Sequence, residues 1–244
     1  MKITLSSSTY LAFIACFLIS CSTPENPGRF NVQHAGVLKN MMQKGDITAK
    51  ADLDSLRNRQ NLYALGALEN LKGEILIMNS QPYISYVDEG QLIVDGNFDH
   101  KATLLVTATV SKWKTVTIPE EITSHDELEA YIESAAKENG IDVHAPFPFL
   151  LAGKPSSFDW HVINWKEGDT EHSHEKHVTS GPHGVLTNQE IEILGFYSDS
   201  HHAVFTHHTT NMHMHFLLDD GSNAGHVDDI LLGQGMKLML PVES

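Results

Sequence analysis

Short runs of β-branched and aromatic residues, separated by turn residues, dominate this chain beyond residue 70. Runs of this length and composition are typical of β-strands. The runs that predict strands span residues 73–78, 82–87, 91–94, 103–110, 114–118, 160–165, 190–197, 203–207, 212–218 and 237–240. No internal repeat and no strong linker interrupts this order. We therefore expect a β-rich α+β domain with mixed or antiparallel sheets and few helices.

Three segments have the apolar spacing of helices instead. Residues 37–44 predict a short helix, and residues 48–59 predict a second one. The third helix has the clearest boundaries, because Ser124 and Glu127 form a capping-box pattern before an apolar series that an Asn-Gly pair closes. A hydrophobic fraction of 41% is enough for these elements to share a packed core.

The first residues have the features of an export signal. Lys2 provides a positive start, and residues 10–20 are apolar but too few to span a bilayer comfortably. The following Leu-Ile-Ser-Cys sequence resembles a bacterial lipobox, in which Cys21 is acylated and anchors an exported protein to a bacterial membrane. An ordinary secretory signal with a chance cysteine is the alternative. The predicted organisation is a lipoprotein signal peptide at residues 1–20, a flexible Pro-, Ser- and Gly-rich tether at 21–32, and one folded domain at 33–244.

Composition excludes several classes of partner and ligand. The chain has 31 acidic and 16 basic residues, which give a formal net charge of -15. Binding to nucleic acid or to anionic lipid depends on an excess of Lys and Arg. We therefore expect no nucleic acid partner, and contact with a membrane only through the lipid anchor. Both cysteines lie in the leader, so any metal must be held by His, Asp or Glu.

Two histidines in one apolar segment are the strongest functional signal. The sequence NMHMHFLL at residues 211–218 is typical of a buried strand, on which His213 and His215 project from the same face. The turn-rich sequence DDGSNAG then predicts a return to a neighbouring strand that begins near His226. Three neutral imidazoles with an open position are typical of catalytic zinc. The alternative is that these histidines are hydrogen-bonded core residues.

The remaining histidines give weaker signals. Four of them occupy a polar segment that could bind metal, although a solvated loop is the simpler interpretation: His172, His174, His177 and His183. Four others flank the predicted strand at 203–207: His201, His202, His207 and His208. One or two of this second group could orient a ligand imidazole through a hydrogen bond.

The histidine block resembles that of the bacterial α-acetolactate decarboxylases. The letters HMHFL at 213–217 and GHVD at 225–228 are similar to the family patterns H-x-H-F and G-G-H-V-L-D, with a matching gap between them. Upstream, GFYS at 195–198 and GALENLKGE at 66–74 resemble two further family segments. The resemblance spans roughly residues 37–241, and it makes the domain at 33–244 an acetolactate-decarboxylase-like catalytic domain.

This resemblance implies a function and a set of site residues. Family members use Zn²⁺ to decarboxylate 2-acetolactate to acetoin and carbon dioxide, so we expect that substrate or a related 2-hydroxy-3-keto acid. By position, His213, His215 and His226 would hold the zinc. Glu74 would be the acidic residue that protonates the enediolate left after decarboxylation. The resemblance is also the basis for expecting a homodimer.

The sequence departs from the family pattern at three places. Leu150 occupies the position of a family arginine that contacts substrate, and Lys154 is the cation that could substitute for it. Ala67 stands where the family has a threonine. The C-terminal extension with another site glutamate is missing, and Glu243 is the late carboxylate that could take its place. These departures predict either an altered substrate or a member that has lost activity.

Two other functions fit the same histidines. The first is another three-histidine metalloenzyme, above all a hydrolase or hydratase, since zinc held in this way generates hydroxide near neutral pH. A cupin-type iron oxygenase fits less well, because Asp219 occupies the place of the glutamate usual in that site. The second is a non-catalytic lipoprotein that binds several metal ions weakly through its 16 histidines.

Overall fold

The computed structural model describes residues 30–242, which form two sheets of seven and eight strands. Neighbouring strands pair in antiparallel fashion throughout both sheets of the described chain. Helices are few and short by comparison. The predicted β-rich α+β class with antiparallel sheets is therefore confirmed.

The first sheet comes from the N-terminal half of the described chain. Its strands are β1 (Gln33–Ala35), β2 (Ala51–Asp52), β3 (Leu62–Leu68), β4 (Gly73–Met78), β5 (Gln81–Asp88), β6 (Gln91–Asp95) and β7 (Lys101–Thr109). They lie in the order β1-β7-β3-β4-β5-β6, and β2 also pairs with β7. Strand β4 is buried along its whole length. Its residues Ile75 and Ile77 join a small core, whereas Leu76 joins the main core shared with the second sheet.

The second sheet carries most of the predicted site. Its strands are β8 (Trp113–Thr117), β9 (Phe147–Gly153), β10 (Ser157–His161), β11 (His183–Leu186), β12 (Ile191–Tyr197), β13 (Met212–Leu218), β14 (Ala224–Leu231) and β15 (Lys237–Pro241). They lie in the order β11-β10-β14-β13-β12-β9-β15-β8. Strand β13 is thus near the centre, and the hairpin partner predicted for it is β14. Burial on both faces explains why β13 is an almost unbroken apolar run.

The described part of the chain contains three α-helices, which are α1 (Leu38–Lys44), α2 (His125–Glu138) and α3 (His174–Thr179). The predicted capping box of α2 is present, with Glu127 N donating to Ser124 Oγ and Glu127 Oε2 accepting from Ser124 N. The apolar face of α2 buries Leu128 and Ile132 in the main core. None of the described helices combines the length and apolar composition needed to cross a bilayer.

Two predicted elements were wrong, and the strand predicted at 160–165 lies instead at Ser157–His161. The helix expected at 48–59 is replaced by β2, which pairs with β7, and by a 3₁₀ turn at Leu53–Leu56. The Asp52 side chain accepts a hydrogen bond from Asp54 N, so it caps this short turn instead of a longer helix. The strand expected at 203–207 is a turn, since Ala203 has a positive φ of 59° that an extended strand cannot contain.

The start of the folded domain also differs from the prediction. Phe30 and Val32 were assigned to the tether at 21–32, yet both are buried in the main core. Thr109 N donates a hydrogen bond to Phe30 O, which joins this segment to the end of β7. Packed structure therefore begins by Phe30. The predicted signal peptide, Cys21 and Glu243 lie outside the described residues.

Candidate metal and catalytic site

Three histidine rings converge where β13 and β14 pair. Alternation along β13 directs His213 and His215 to one face, and the strand register places His226 opposite His215. One ring nitrogen from each histidine lies within 4.8 Å of those of the other two. The Nε2 atoms of His213 and His215 are 3.2 Å apart. The structure thus brings together the three histidines that sequence analysis singled out.

The donor atoms of this triad suit a zinc ion. Tetrahedral zinc at its usual distance from imidazole separates the ligand nitrogens by about 3.3 Å, close to the separation of His213 and His215. Burial lowers the pKa of His213 to about 4, and it holds the pKa values of His215 and His226 well below their usual range. All three rings are therefore neutral at pH 7, the form that binds metal.

The triad also leaves room for a substrate. His215 is fully buried, whereas the side chain of His226 is 25% exposed at the base of a cavity of about 980 Å³. Such a volume suits a small organic molecule. A cation held by the triad would be reachable from this side, as a catalytic rather than a structural zinc site requires.

Glu74 reaches the triad from the other sheet. It shares the face of β4 that carries Leu76, and its Oε2 lies 3.6 Å from His215 Nε2. Its Oε1 accepts a hydrogen bond of 3.2 Å from Ile163 N. Burial raises the pKa of Glu74 to about 8, against the opposing influence of His161. A carboxyl group with this pKa retains its proton at neutral pH in the metal-free protein.

A second pair, His161 and Asp228, completes the base of the cavity and was missed by sequence analysis. His161 on β10 lies opposite His226 in the register of β10 and β14. A bulge in this pairing leaves Asp228 as the extra residue of β14, and its Oδ2 lies 2.8 Å from His161 Nδ1. This contact directs His161 Nε2 toward Glu74, at 3.8 Å from Oε1.

The electrostatics of His161 differ from those of the triad. Burial alone would lower the pKa of His161, but the hydrogen bond to the carboxylate of Asp228 raises it above its usual value. The sequence signal for Asp228 was its place in the GHVD block. No comparable signal marked His161, because the register and the bulge that join the two residues arise only when β10 pairs with β14.

The other walls of the cavity come from several further elements. Helix α1 contributes Lys39, which is the sole Lys or Arg among the lining residues. Apolar walls are formed by Leu71, Leu104 and Phe205. Histidines from α3 and from the turn before β13 line the mouth. The cavity therefore combines buried ionisable groups with buried apolar walls, and exposed histidines lie at its opening.

The structure does not bring Lys154, the predicted substrate-binding residue, to this cavity. Its ammonium lies 3.7 Å from Glu190 Oε2, and both side chains are more than half exposed. Leu150 pairs with Leu194, which in turn pairs with His215, so Leu150 lies on the histidine-bearing face of the sheet. Ala67 lines the cavity beside Glu74, its partner on β4. Lys39 is thus the cation that the fold places near the site.

The fold and the sequence together define a decarboxylase, a carbon–carbon lyase. Residues 34–241 match the profile of the alpha-acetolactate decarboxylase family, and the protein belongs to this family. The expected family membership is confirmed. Among proteins with curated descriptions, none matches the sequence significantly.

Solved structures support the fold assignment. Alpha-acetolactate decarboxylase from Bacillus subtilis strain 168 superposes with a TM-score of 0.67 at 12% identity, covering 87% of this chain and 86% of its own. A Staphylococcus aureus protein described as similar to alpha-acetolactate decarboxylase superposes with a TM-score of 0.66 at 17% identity. That match covers 86% of this chain and 84% of the other. At such low identities these likenesses establish the shared fold alone.

Proposed function

We propose that this protein uses Zn²⁺ to decarboxylate 2-acetolactate, or a related 2-hydroxy-3-keto acid, to acetoin or its analogue and carbon dioxide. The observation that carries this proposal is the meeting of two groups at the base of one cavity. Three neutral imidazoles come from β13 and β14, and the buried carboxyl group of Glu74 comes from β4. Together they supply a cation site and a proton donor, the two functions that this reaction requires.

The triad would hold the ion without neutralising it. Imidazoles bring no negative charge, so the ion keeps its full charge toward the substrate. When bound, zinc supplies Lewis-acid stabilisation for the negative charge that develops on substrate oxygens as carbon dioxide departs. The buried apolar walls from Leu71, Leu104 and Phe205 offer few polar groups to screen this charge, which would strengthen such electrostatic interactions.

In this proposal Glu74 supplies the proton that replaces the lost carboxylate. The bond from the substrate carbon to its carboxylate breaks, and the electron pair stays on the substrate while carbon dioxide leaves. Glu74 then transfers its proton to that carbon, and water restores the proton to Glu74. The hydrogen bond from Ile163 N holds Oε1, so Oε2 is the oxygen nearer the triad. General acid help of this kind contributes about 10²–10⁴-fold in rate.

Acetoin formation tests this proposal directly. Purified full-length protein, stripped of metal and reloaded with one equivalent of Zn²⁺, is incubated with racemic 2-acetolactate, and acetoin is measured. We expect turnover that depends on zinc and is lost in the His215→Ala variant. Absence of acetoin from either enantiomer, with folded and zinc-loaded protein, would refute the acetolactate form of the proposal. Ester and bicarbonate assays on the same sample test the hydrolase and hydratase alternatives.

We further propose that the protein is exported and anchored to a bacterial membrane through an acylated Cys21. The support is the Leu-Ile-Ser-Cys sequence at the end of an apolar leader. Metabolic labelling with a palmitate analogue should mark the wild-type protein but not the Cys21→Ala variant. Equal labelling of both proteins, or of neither, would contradict the anchor.

A further inference from the structure

A group of histidines at the mouth of the cavity has no role in the proposed chemistry. Helix α3 contributes His174, and the turn between β12 and β13 contributes the adjacent residues His207 and His208. All three line the cavity whose base carries the triad. Residues more than 30 positions apart in sequence thus meet at one opening, and we name these three residues the mouth cluster.

His207 lies beside both other rings of the mouth cluster. The ring centroids of His174 and His207 are 5.3 Å apart, and those of His207 and His208 are 4.1 Å apart. In the triad the corresponding separations are 5.0, 5.1 and 5.3 Å. Because His174 and His208 are exposed and both rings contact His207, rotation of their side chains can bring one nitrogen of each to an ion held by His207.

His207 is held in a suitable orientation by a neighbour. Its Nδ1 lies 2.8 Å from Thr209 Oγ1, and donation of the Nδ1 hydrogen to that hydroxyl leaves Nε2 with a free lone pair. Ligand histidines are commonly oriented in this way by a hydrogen bond from their second nitrogen. His207 is therefore the member of the mouth cluster whose ring is fixed by a partner suited to metal binding.

We propose that His174, His207 and His208 form a second binding site for a divalent transition-metal ion at the mouth of the cavity. A set of imidazole donors favours Zn²⁺, Cu²⁺ and Ni²⁺ over Mg²⁺ or Ca²⁺, which prefer oxygen ligands. This site is distinct from the triad, and it does not depend on the protein being a decarboxylase.

The second site should bind more weakly than the triad. His174 and His208 are exposed, so their side chains lose rotational freedom when they bind an ion. The triad rings are already held in place by packing at the centre of the second sheet. Among the described residues, the triad is the group of three or more potential ligands whose donor atoms already lie within 4.8 Å of one another.

Metal titration of the full-length protein tests this inference. Metal-free protein is titrated with Zn²⁺ against a chromophoric chelator, and the bound metal is counted by elemental analysis after equilibrium dialysis. Wild type should bind two equivalents, one tight and one weaker. The double variant His174→Ala/His207→Ala should keep the tight equivalent and bind the other at least about tenfold more weakly, since even loss of an orienting partner costs 10–100-fold.

A matched control removes two histidines elsewhere. The double variant His144→Ala/His183→Ala loses rings that contact Asp199 and the carbonyl of Gly181, and neither lines the cavity. It should retain both equivalents. Circular dichroism verifies the folding of each variant. If the spectrum of His174→Ala/His207→Ala differs from that of wild type, the double variant His174→Gln/His207→Gln is used in its place.

Three results would overturn the second site. The first is that wild type binds a single equivalent of zinc. The second is that the mouth-cluster variant retains the weaker equivalent, and the third is that the control variant loses the weaker equivalent to the same extent. The His215→Ala variant should lose the tight equivalent and keep the weaker one. Lack of acetoin formation would refute the proposed function but would leave this count of metal ions unchanged, so the two failures are distinguishable.

Discussion

The carboxyl group of Glu74 lies 3.6 Å from Nε2 of His215, although the two residues belong to different sheets. Glu74 extends from β4 and His215 from the centre of the second sheet. The main core between the sheets therefore positions the proposed proton donor beside the proposed cation site. The three triad histidines can hold an ion without Glu74. The proposed role of Glu74 as proton donor can therefore be tested separately from metal binding.

Replacement of Glu74 should strongly reduce turnover without removing the metal. We expect Glu74→Gln to lower kcat by about 10²–10⁴-fold, the usual contribution of a general acid, while zinc remains bound at one tight equivalent. Steady-state acetoin formation and elemental analysis measure the two effects on the same sample. A variant that retains kcat would show that another group donates the proton.

The pair of His161 and Asp228 should contribute to stability. Asp228→Ala removes the 2.8 Å contact to the buried ring of His161, and a buried polar group left without a partner costs about 1–3 kcal/mol. Urea unfolding followed by circular dichroism measures the loss in the free energy of unfolding. Asp229→Ala serves as the control and should cost less than Asp228→Ala, because Asp229 is exposed and water can replace its carboxylate as acceptor for Ile230 N.

Lys39 should affect substrate capture more than chemistry. It is the single cationic side chain of Lys or Arg type that lines the described cavity, so it attracts an anionic substrate from the mouth. Lys39→Met should raise KM up to about fivefold at low ionic strength, with little change in kcat and a smaller effect in high salt. The surface variant Lys154→Met should leave KM unchanged. An effect of equal size in both variants would argue against a local role for Lys39.

The capping box of α2 provides a test that is independent of the site. Ser124→Ala removes the side-chain acceptor for Glu127 N, and loss of such a cap costs about 1 kcal/mol of stability. Thermal unfolding should therefore begin at a lower temperature, while zinc binding stays unchanged. An unaltered free energy of unfolding would mean that water replaces the cap without cost.

The same capping box predicts a pH dependence of stability. Hydrogen bonds from the backbone N–H groups of Thr123 and Ser124 lower the pKa of Glu127 to about 2 from its usual value of 4.5. Because the folded pKa is the lower one, this stabilisation is present above pH 4.5 and disappears as the pH falls toward 2. The stability difference between wild type and Glu127→Gln, measured by urea unfolding, should shrink between pH 5 and pH 3. A constant difference would contradict this assignment.

Local patterns predicted the elements that depend on neighbouring residues. The strands predicted at 73–78 and 212–218 coincide with β4 and β13, and the capped helix coincides with α2. Periodicity and capping act over a few residues, so they can be detected without knowledge of the tertiary structure. The helix expected at 48–59 failed because pairing of Ala51 and Asp52 with β7 overrode the local apolar spacing.

The sequence by itself determined the triad, since His213, His215 and His226 belong to two adjacent strands joined by a short turn. Strand alternation and one hairpin are sufficient to bring them together. Only the tertiary structure decided which other groups join them. Packing of the two sheets brings Glu74 to the triad, and a bulge in the β10–β14 pairing joins Asp228 to His161. Such contacts depend on the packing and register of segments distant in sequence, which no local pattern encodes.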